Sequence, residues 1–210
     1  MIHTMNAKFL ERLITYRQIH RIAFARMILD QKIKNQFSII GYRQIGREYR
    51  EQLYTTESVE TLLLIEARAA RRYWKQYGTL IEKKIPWQNR LARGKDSANT
   101  LLDIGYHYLS QRIASLCDDI HFPTEIGFFH KARSFDSRPF VYDYMEWLRP
   151  VCVDAVLLNF AGKKKKLFLK VKQKDIKRFI YLIKKNFNTN YYHRKLGYCI
   201  TLEYWMRLVL

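Results

Sequence analysis

Glu66 is the residue whose position most needs a chemical reason. Around it Val59, Leu62, Leu63, Ala70, Tyr73 and Tyr77 recur at helical spacing, and at about 100° per residue they form one apolar stripe with Glu66 in its middle. Arg68, Arg71, Arg72 and Lys75 fall on the opposite side. A carboxylate carried into a packed face is costly, so Glu66 needs a cation, a proton or a strong donor there. By itself the stripe reads first as a structural pair with a buried arginine or tyrosine. A second acidic pair follows at Asp143 and Glu146, three residues apart in a helix that Pro139 opens, which places both on one side. Two such acids with Glu66 could hold a divalent cation through oxygen. His130, in the irregular stretch upstream, would add a nitrogen donor and shift the preference from Mg²⁺ towards Mn²⁺. Taken singly, an i, i+3 acid pair is ordinary surface decoration and a lone histidine an ordinary loop or core residue.

Helices must position these groups. The 210 residues are 48% apolar and 15% aromatic, enough for a real core, and only 4 prolines and 8 glycines interrupt them. The pattern predicts an all-α, multi-helical fold. One helix is expected over Asn6 to Phe37, with Ile22, Ala25, Leu29, Ile33 and Phe37 as its stripe, and a shorter one over Tyr42 to Tyr54. The Glu66 helix should start near Thr56 or Ser58 and stop at Gly78. A loop follows to Asp96, and Ser97 should cap a helix bearing Leu101, Leu102, Gly105, Tyr106, Leu109 and Ile113. Gly105 in that stripe should admit a close neighbour. The Pro139 helix should end near Arg149, with Pro150 opening another to about Phe160. Residues 1–160 are thus expected to form the site-bearing domain, and 161–210 a basic helical extension of the same lobe.

Lysine and arginine number 38 against 19 acids, a formal charge of +19, so the chain draws in polyanions, and nucleic acid is the commonest such partner. The tail is densest in base, and the run Lys163, Lys164, Lys165, Lys166 is either a solvated turn or a set of phosphate contacts. No apolar run approaches the roughly 18–20 residues of a bilayer span, and the first residues carry no signal-peptide pattern, so a cytoplasmic protein without a membrane partner is expected. Cys117, Cys152 and Cys199 include no C-x-x-C pair, which argues against a disulfide framework or structural zinc.

Several stretches resemble one family. Glu66-Ala-Arg-Ala-Ala-Arg-Arg-Tyr-Trp74 resembles the E-G-x-A-A-R-x-Y-F motif of the CRISPR-associated integrase, the universal spacer-acquisition enzyme. Ala98 to Tyr106 resembles its N-x-L-L-x-x-G-Y helix, Ile126 to His130 its glycine-to-histidine loop, and Val141 to Pro150 its D-L-M-E-x-F-R-P helix. Ile28 to Asn35 resembles its K-I-x-N segment. The ordered motifs cover about Ile19 to Phe160.

The resemblance implies that Glu66, His130 and Glu146 hold a Mg²⁺ or Mn²⁺ ion, with Asp143 in support. It implies a DNA integrase that inserts short prespacer DNA into a CRISPR repeat array by attack of a 3′-hydroxyl on a phosphodiester. Arg71 and Tyr73 match the first motif, and Arg133, three residues after the histidine, could reach the scissile phosphate. Arg68, Arg72 and Lys75 serve either solubility or backbone-phosphate binding. Ala67 and Trp74 depart from the motif glycine and phenylalanine, and Pro139-Phe140 stands where many members have Ser-Leu; none removes an implied ligand. Little precedes the first helix, so the β-rich domain that usually begins these proteins is expected to be missing, from a compact member or a fragment. Such a chain is expected to form a homo-oligomer, with or without the small ferredoxin-like partner that usually bridges two integrase dimers. Two other readings stay open: a metal-dependent endonuclease on branched DNA, and a non-catalytic basic nucleic-acid-binding protein.

Overall fold

A computed structural model describes residues 7–131, 137–162, 171–187, 190–193 and 198–201. Its order is α1 (Ala7–Ile39), α2 (Arg43–Leu53), α3 (Val59–Ile81), α4 (Ser97–Asp119), α5 (Pro139–Met145), a π-helical turn (Pro150–Asp154), α6 (Ala155–Gly162), α7 (Gln173–Phe187), and strands β1 (Asn190–His193) and β2 (Tyr198–Thr201). The fold is predominantly helical, as the periodicity predicts.

The second half of α1 is the central strut. Ala25, Ile28, Leu29, Ile33 and Phe37 are buried along it, while Tyr16 and Ile19 in its first half are exposed. The helix closes at Gly41, whose φ of 80° permits the reversal, and Tyr42 N–H bonds back to Phe37 O at 2.9 Å. The chain then turns into α2, and both α2 and α3 pack on α1.

Ser58 caps α3, its hydroxyl accepting from Thr61 N–H. The buried side of α3 carries Val59, Leu62, Ile65, Ala69, Tyr73, Tyr77 and Ile81; Leu63 and Ala70, expected in this stripe, lie at its margin. Gly78 does not end the helix. It is buried, and a Cβ there would lie 2.5 Å from Trp87 Nε1, so the glycine admits the tryptophan of the following loop against the Tyr73, Trp74, Tyr77 aromatic group. The cap of α4 is Asp96 rather than Ser97, its carboxylate accepting from Asn99 N–H at 2.9 Å.

Gly105 behaves as its place in the stripe predicts. A Cβ at this position would meet Val153 at 2.5 Å and Phe179 at 3.2 Å, so α4 can approach the π-helical turn and α7 closely. At that junction Asp154 is buried, accepting from Tyr73 OH at 2.9 Å and Tyr106 OH at 2.5 Å, while Tyr77 OH donates to its backbone carbonyl at 3.0 Å. Burial pushes its carboxyl up to about 6 even though both tyrosines donate to it.

Beyond Phe160 the described residues are partly helical and partly strand. α7 is helical and packs on α4 and α6, but β1 and β2 form an antiparallel pair with Tyr191 opposite Ile200. The tyrosines, Ile200 and Thr201 there have higher strand than helix preference, which the basic composition of the tail masks.

Candidate functional site

Glu66 of α3 and Glu146, at the turn that ends α5, converge on one point. That point is occupied by the ammonium of Lys32 from α1, 2.6 Å from Glu66 Oε1 and 2.5 Å from Glu146 Oε2. The other oxygen of Glu146 receives Arg149 Nη1 at 2.6 Å. Glu66 therefore faces the packed side and is paired there, as its place in the stripe requires. Its side chain keeps 18% of its accessibility, against 6% for Glu146, so the pair is partly accessible on the Glu66 side and buried on the Glu146 side.

The electrostatics follow from this crowding. Burial opposes the charge on Glu146, but Arg149 and Lys32 overcome it and hold the carboxyl down at about 2. Burial likewise opposes the charge on Lys32, and the Glu146 and Glu66 carboxylates more than restore it, raising its pKa. Arg149 is fixed on two further sides, over the Tyr106 ring at 5.0 Å and with Nη2 3.7 Å from Met145 Sδ.

His130 and Asp143 form a second unit beside the first. Asp143 is fully buried and accepts from the backbone N–H groups of Phe128, Phe129 and His130, and from His130 Nδ1 at 2.7 Å. This holds the loop in a cradle around one carboxylate. It also favours the proton on Nδ1, leaving Nε2 as the ring nitrogen with a lone pair. A Cβ at Gly127 would lie 2.5 Å from His130 O and 3.1 Å from Asp143 Oδ2, so only glycine allows the loop this close. Helix α1 braces the loop from behind: Arg21 Nε donates to Phe128 O at 2.8 Å, and Phe24 stacks on Phe128 at 4.0 Å.

A metal would thus find two convergent carboxylates that already hold a cation, and a histidine oriented through a buried aspartate. That donor set fits a divalent cation of the Mg²⁺ or Mn²⁺ type. Among the described residues no three histidine, cysteine or carboxylate side chains are gathered into a ready-made cage, and the point where Glu66 and Glu146 converge holds Lys32. Asp143 spends its oxygens on the loop backbone and on His130 Nδ1.

The remaining expectations divide. Tyr73 cannot touch nucleic acid: it is completely buried, with its hydroxyl committed to Asp154. Arg68, Arg71, Arg72 and Lys75 are exposed on the outer face of α3, away from the carboxylates, and Arg68 donates to Gln52 at 3.0 Å. Arg133 and Lys163, Lys164, Lys165 and Lys166 lie outside the described residues. Lys32 and Arg149 lie in the K-I-x-N and D-L-M-E-x-F-R-P stretches, but the sequence assigns neither a role in the site. Lys32 follows Ile28 by one turn of α1 inside its buried face, the same anomaly that marks Glu66, and Arg149 follows Glu146 by three residues.

The chain matches the family described as CRISPR associated protein Cas1 over residues 8–181. Among curated proteins it is 27% identical to a CRISPR-associated endonuclease Cas1 of Saccharolobus solfataricus across 73% of this chain and 47% of that protein. The chain therefore spans about half the length of that relative. Among solved structures it resembles a Cas1 protein from Thermotoga maritima, with a TM-score of 0.80 and 21% identity over 98% of this chain and 69% of that one. It also resembles a casposase bound to integration product, with a TM-score of 0.77 and 18% identity over 92% and 61% of the two chains. These two likenesses establish a shared fold.

Proposed function

The chain belongs to the CRISPR-associated Cas1 family, and on that premise we propose that it provides the catalytic helical lobe of a metal-dependent DNA integrase. The observation that carries the reading is the convergence of Glu66 and Glu146 on a single cationic point, with the His130–Asp143 unit alongside. Glu66, Glu146 and His130 Nε2 would hold a Mg²⁺ or Mn²⁺ ion, which when bound polarises phosphoryl oxygens and favours the ionised form of an attacking hydroxyl. Asp143 keeps His130 in the tautomer that offers Nε2, and Arg149 fixes the rotamer of Glu146.

The reaction proposed is exchange of one phosphodiester for another. The 3′-oxygen of an incoming prespacer strand bonds to a phosphorus of the CRISPR repeat, the bond from that phosphorus to its own 3′-oxygen breaks, and the proton lost by the attacking hydroxyl ends on the leaving one. Phosphodiester number is conserved, so neither nucleotide hydrolysis nor a covalent enzyme intermediate is needed. The +19 charge supports DNA as the partner. Joining both prespacer ends requires two sites, which supports a homo-oligomer, with or without a bridging ferredoxin-like subunit.

A plasmid-integration assay with Mg²⁺ or Mn²⁺ tests the reading. A 3′-hydroxyl oligonucleotide should be joined by the parent and not by Glu66→Ala, Glu146→Ala or His130→Ala; equal joining by Glu66→Ala would overturn it. The second reading, hydrolysis of branched DNA with water as nucleophile, is favoured by the endonuclease names of the curated relatives. It predicts nicked products without joined ones. A purely binding protein would bind DNA while giving neither joined nor nicked products in the same assay.

A further inference from the structure

The proposed chemistry gives Lys32 no task, yet its ammonium stands where the two carboxylates meet. The charges in that cluster already balance: Glu66 and Glu146 against Lys32 and Arg149. A divalent cation brought to the same oxygens would add two charges beside two resident cations, and like charges at such range beside the buried Lys32 and Glu146 repel strongly. One resident has to withdraw. Arg149 is held by Glu146, by the Tyr106 face and by Met145 Sδ. Lys32 Nζ, by contrast, has no partner among the described residues except the two carboxylates, and its four-carbon stem has rotatable bonds throughout.

We propose that Lys32 is the exchangeable counter-ion of the site: it holds Glu66 and Glu146 together and ionised while no metal is bound, and is displaced when a divalent cation takes the same oxygens. The inference rests on the metal reading of Glu66 and Glu146. Lys32 is in this sense a positioning residue. It preserves the convergence of two carboxylates that would otherwise repel each other, and it lowers apparent metal affinity by the fraction of time it occupies the site.

Two measurements test this, neither of them an activity. Calorimetric titration with Mn²⁺ after removal of metal by chelation should show Lys32→Met binding roughly tenfold tighter or more than the parent, since the latched population no longer competes. The same variant should melt lower than the parent in chelator and recover when Mn²⁺ is added. In the parent, an amine-acylating reagent with peptide mapping should modify Lys32 slowly in chelator and faster in Mg²⁺. Equal or weaker Mn²⁺ binding by folded Lys32→Met, or Lys32 acylation that Mg²⁺ leaves unchanged or slows, overturns the proposal. The acylation arm decides alone if the variant does not fold. Glu66→Gln separates the two levels: if it binds Mn²⁺ as the parent does, the metal reading and this inference fail together. A Glu66-dependent Mn²⁺ site with unmoved Lys32 readouts sinks the inference alone.

Discussion

At Glu146 and Asp154 the same burial has opposite outcomes because the neighbours differ. Glu146 has two cations against it and is held at about 2, below its ordinary 4.5. Its contribution to stability is therefore complete above pH 4.5 and is lost as pH falls towards 2. Asp154 has tyrosine hydroxyls as its direct partners and is raised from 3.8 to about 6, so its contribution is complete below pH 3.8 and is lost as pH rises through 6. Urea midpoints measured in chelator across pH 2 to 8 should accordingly peak in mildly acidic buffer. Asp154→Asn should flatten the fall on the neutral side and Glu146→Gln the fall on the acid side; unchanged limbs would contradict the assigned shifts. Asp143 calls for a different measurement, since it works through His130 and three backbone N–H groups. Asp143→Asn loses the purely accepting carboxylate that fixes the ring, and Mn²⁺ affinity should drop by about 10–100-fold, the usual cost of losing the partner behind a histidine ligand.

Helix α1 reaches both halves of the site. Arg21 and Phe24 brace the histidine loop, Lys32 reaches the carboxylates, and Asn35 Nδ2 donates to Trp147 O at 2.8 Å, just past Glu146. These contacts lie along one face, so α1 sets the distance between the two halves of the site. The glycines at element contacts separate stability from function. Gly105→Ala would drive a methyl into Val153 where α4 meets the π-helical turn, and should cost about 1–3 kcal/mol in denaturant unfolding while leaving metal affinity per folded molecule near the parent's. Gly127→Ala would push against the His130 carbonyl, which is backbone and cannot rotate away. It should weaken Mn²⁺ binding far more, relative to its effect on the urea midpoint, than Gly105→Ala does. Similar ratios for the two variants would remove the loop from the site.

For the molecule as a whole, charge is the dominant property. Log affinity for duplex DNA should fall with log salt by about 0.9 for each phosphate neutralised, and a nearly flat response in a filter-binding series would exclude the basic surface as a DNA track. Among the described residues no helix is long and apolar enough to cross a membrane. Sequence alone determined what depends on neighbours along the chain: the helices, the close approach at Gly105, and the anomaly of a carboxylate at position 66 in an apolar stripe. The hairpin escaped it because basic composition outweighed a few strand-favouring residues. So did the continuation of α3 past Gly78, because a glycine in a helix reads as a stop until Trp87 is seen against it. Tertiary structure alone decided partners. Tyr73 and Glu66 share one stripe, yet Tyr73 is sealed against Asp154 while Glu66 meets Lys32 and stays partly accessible. Lys32 and Glu146 are 114 residues apart, and spacing along a chain carries no information about which charge meets which across a core.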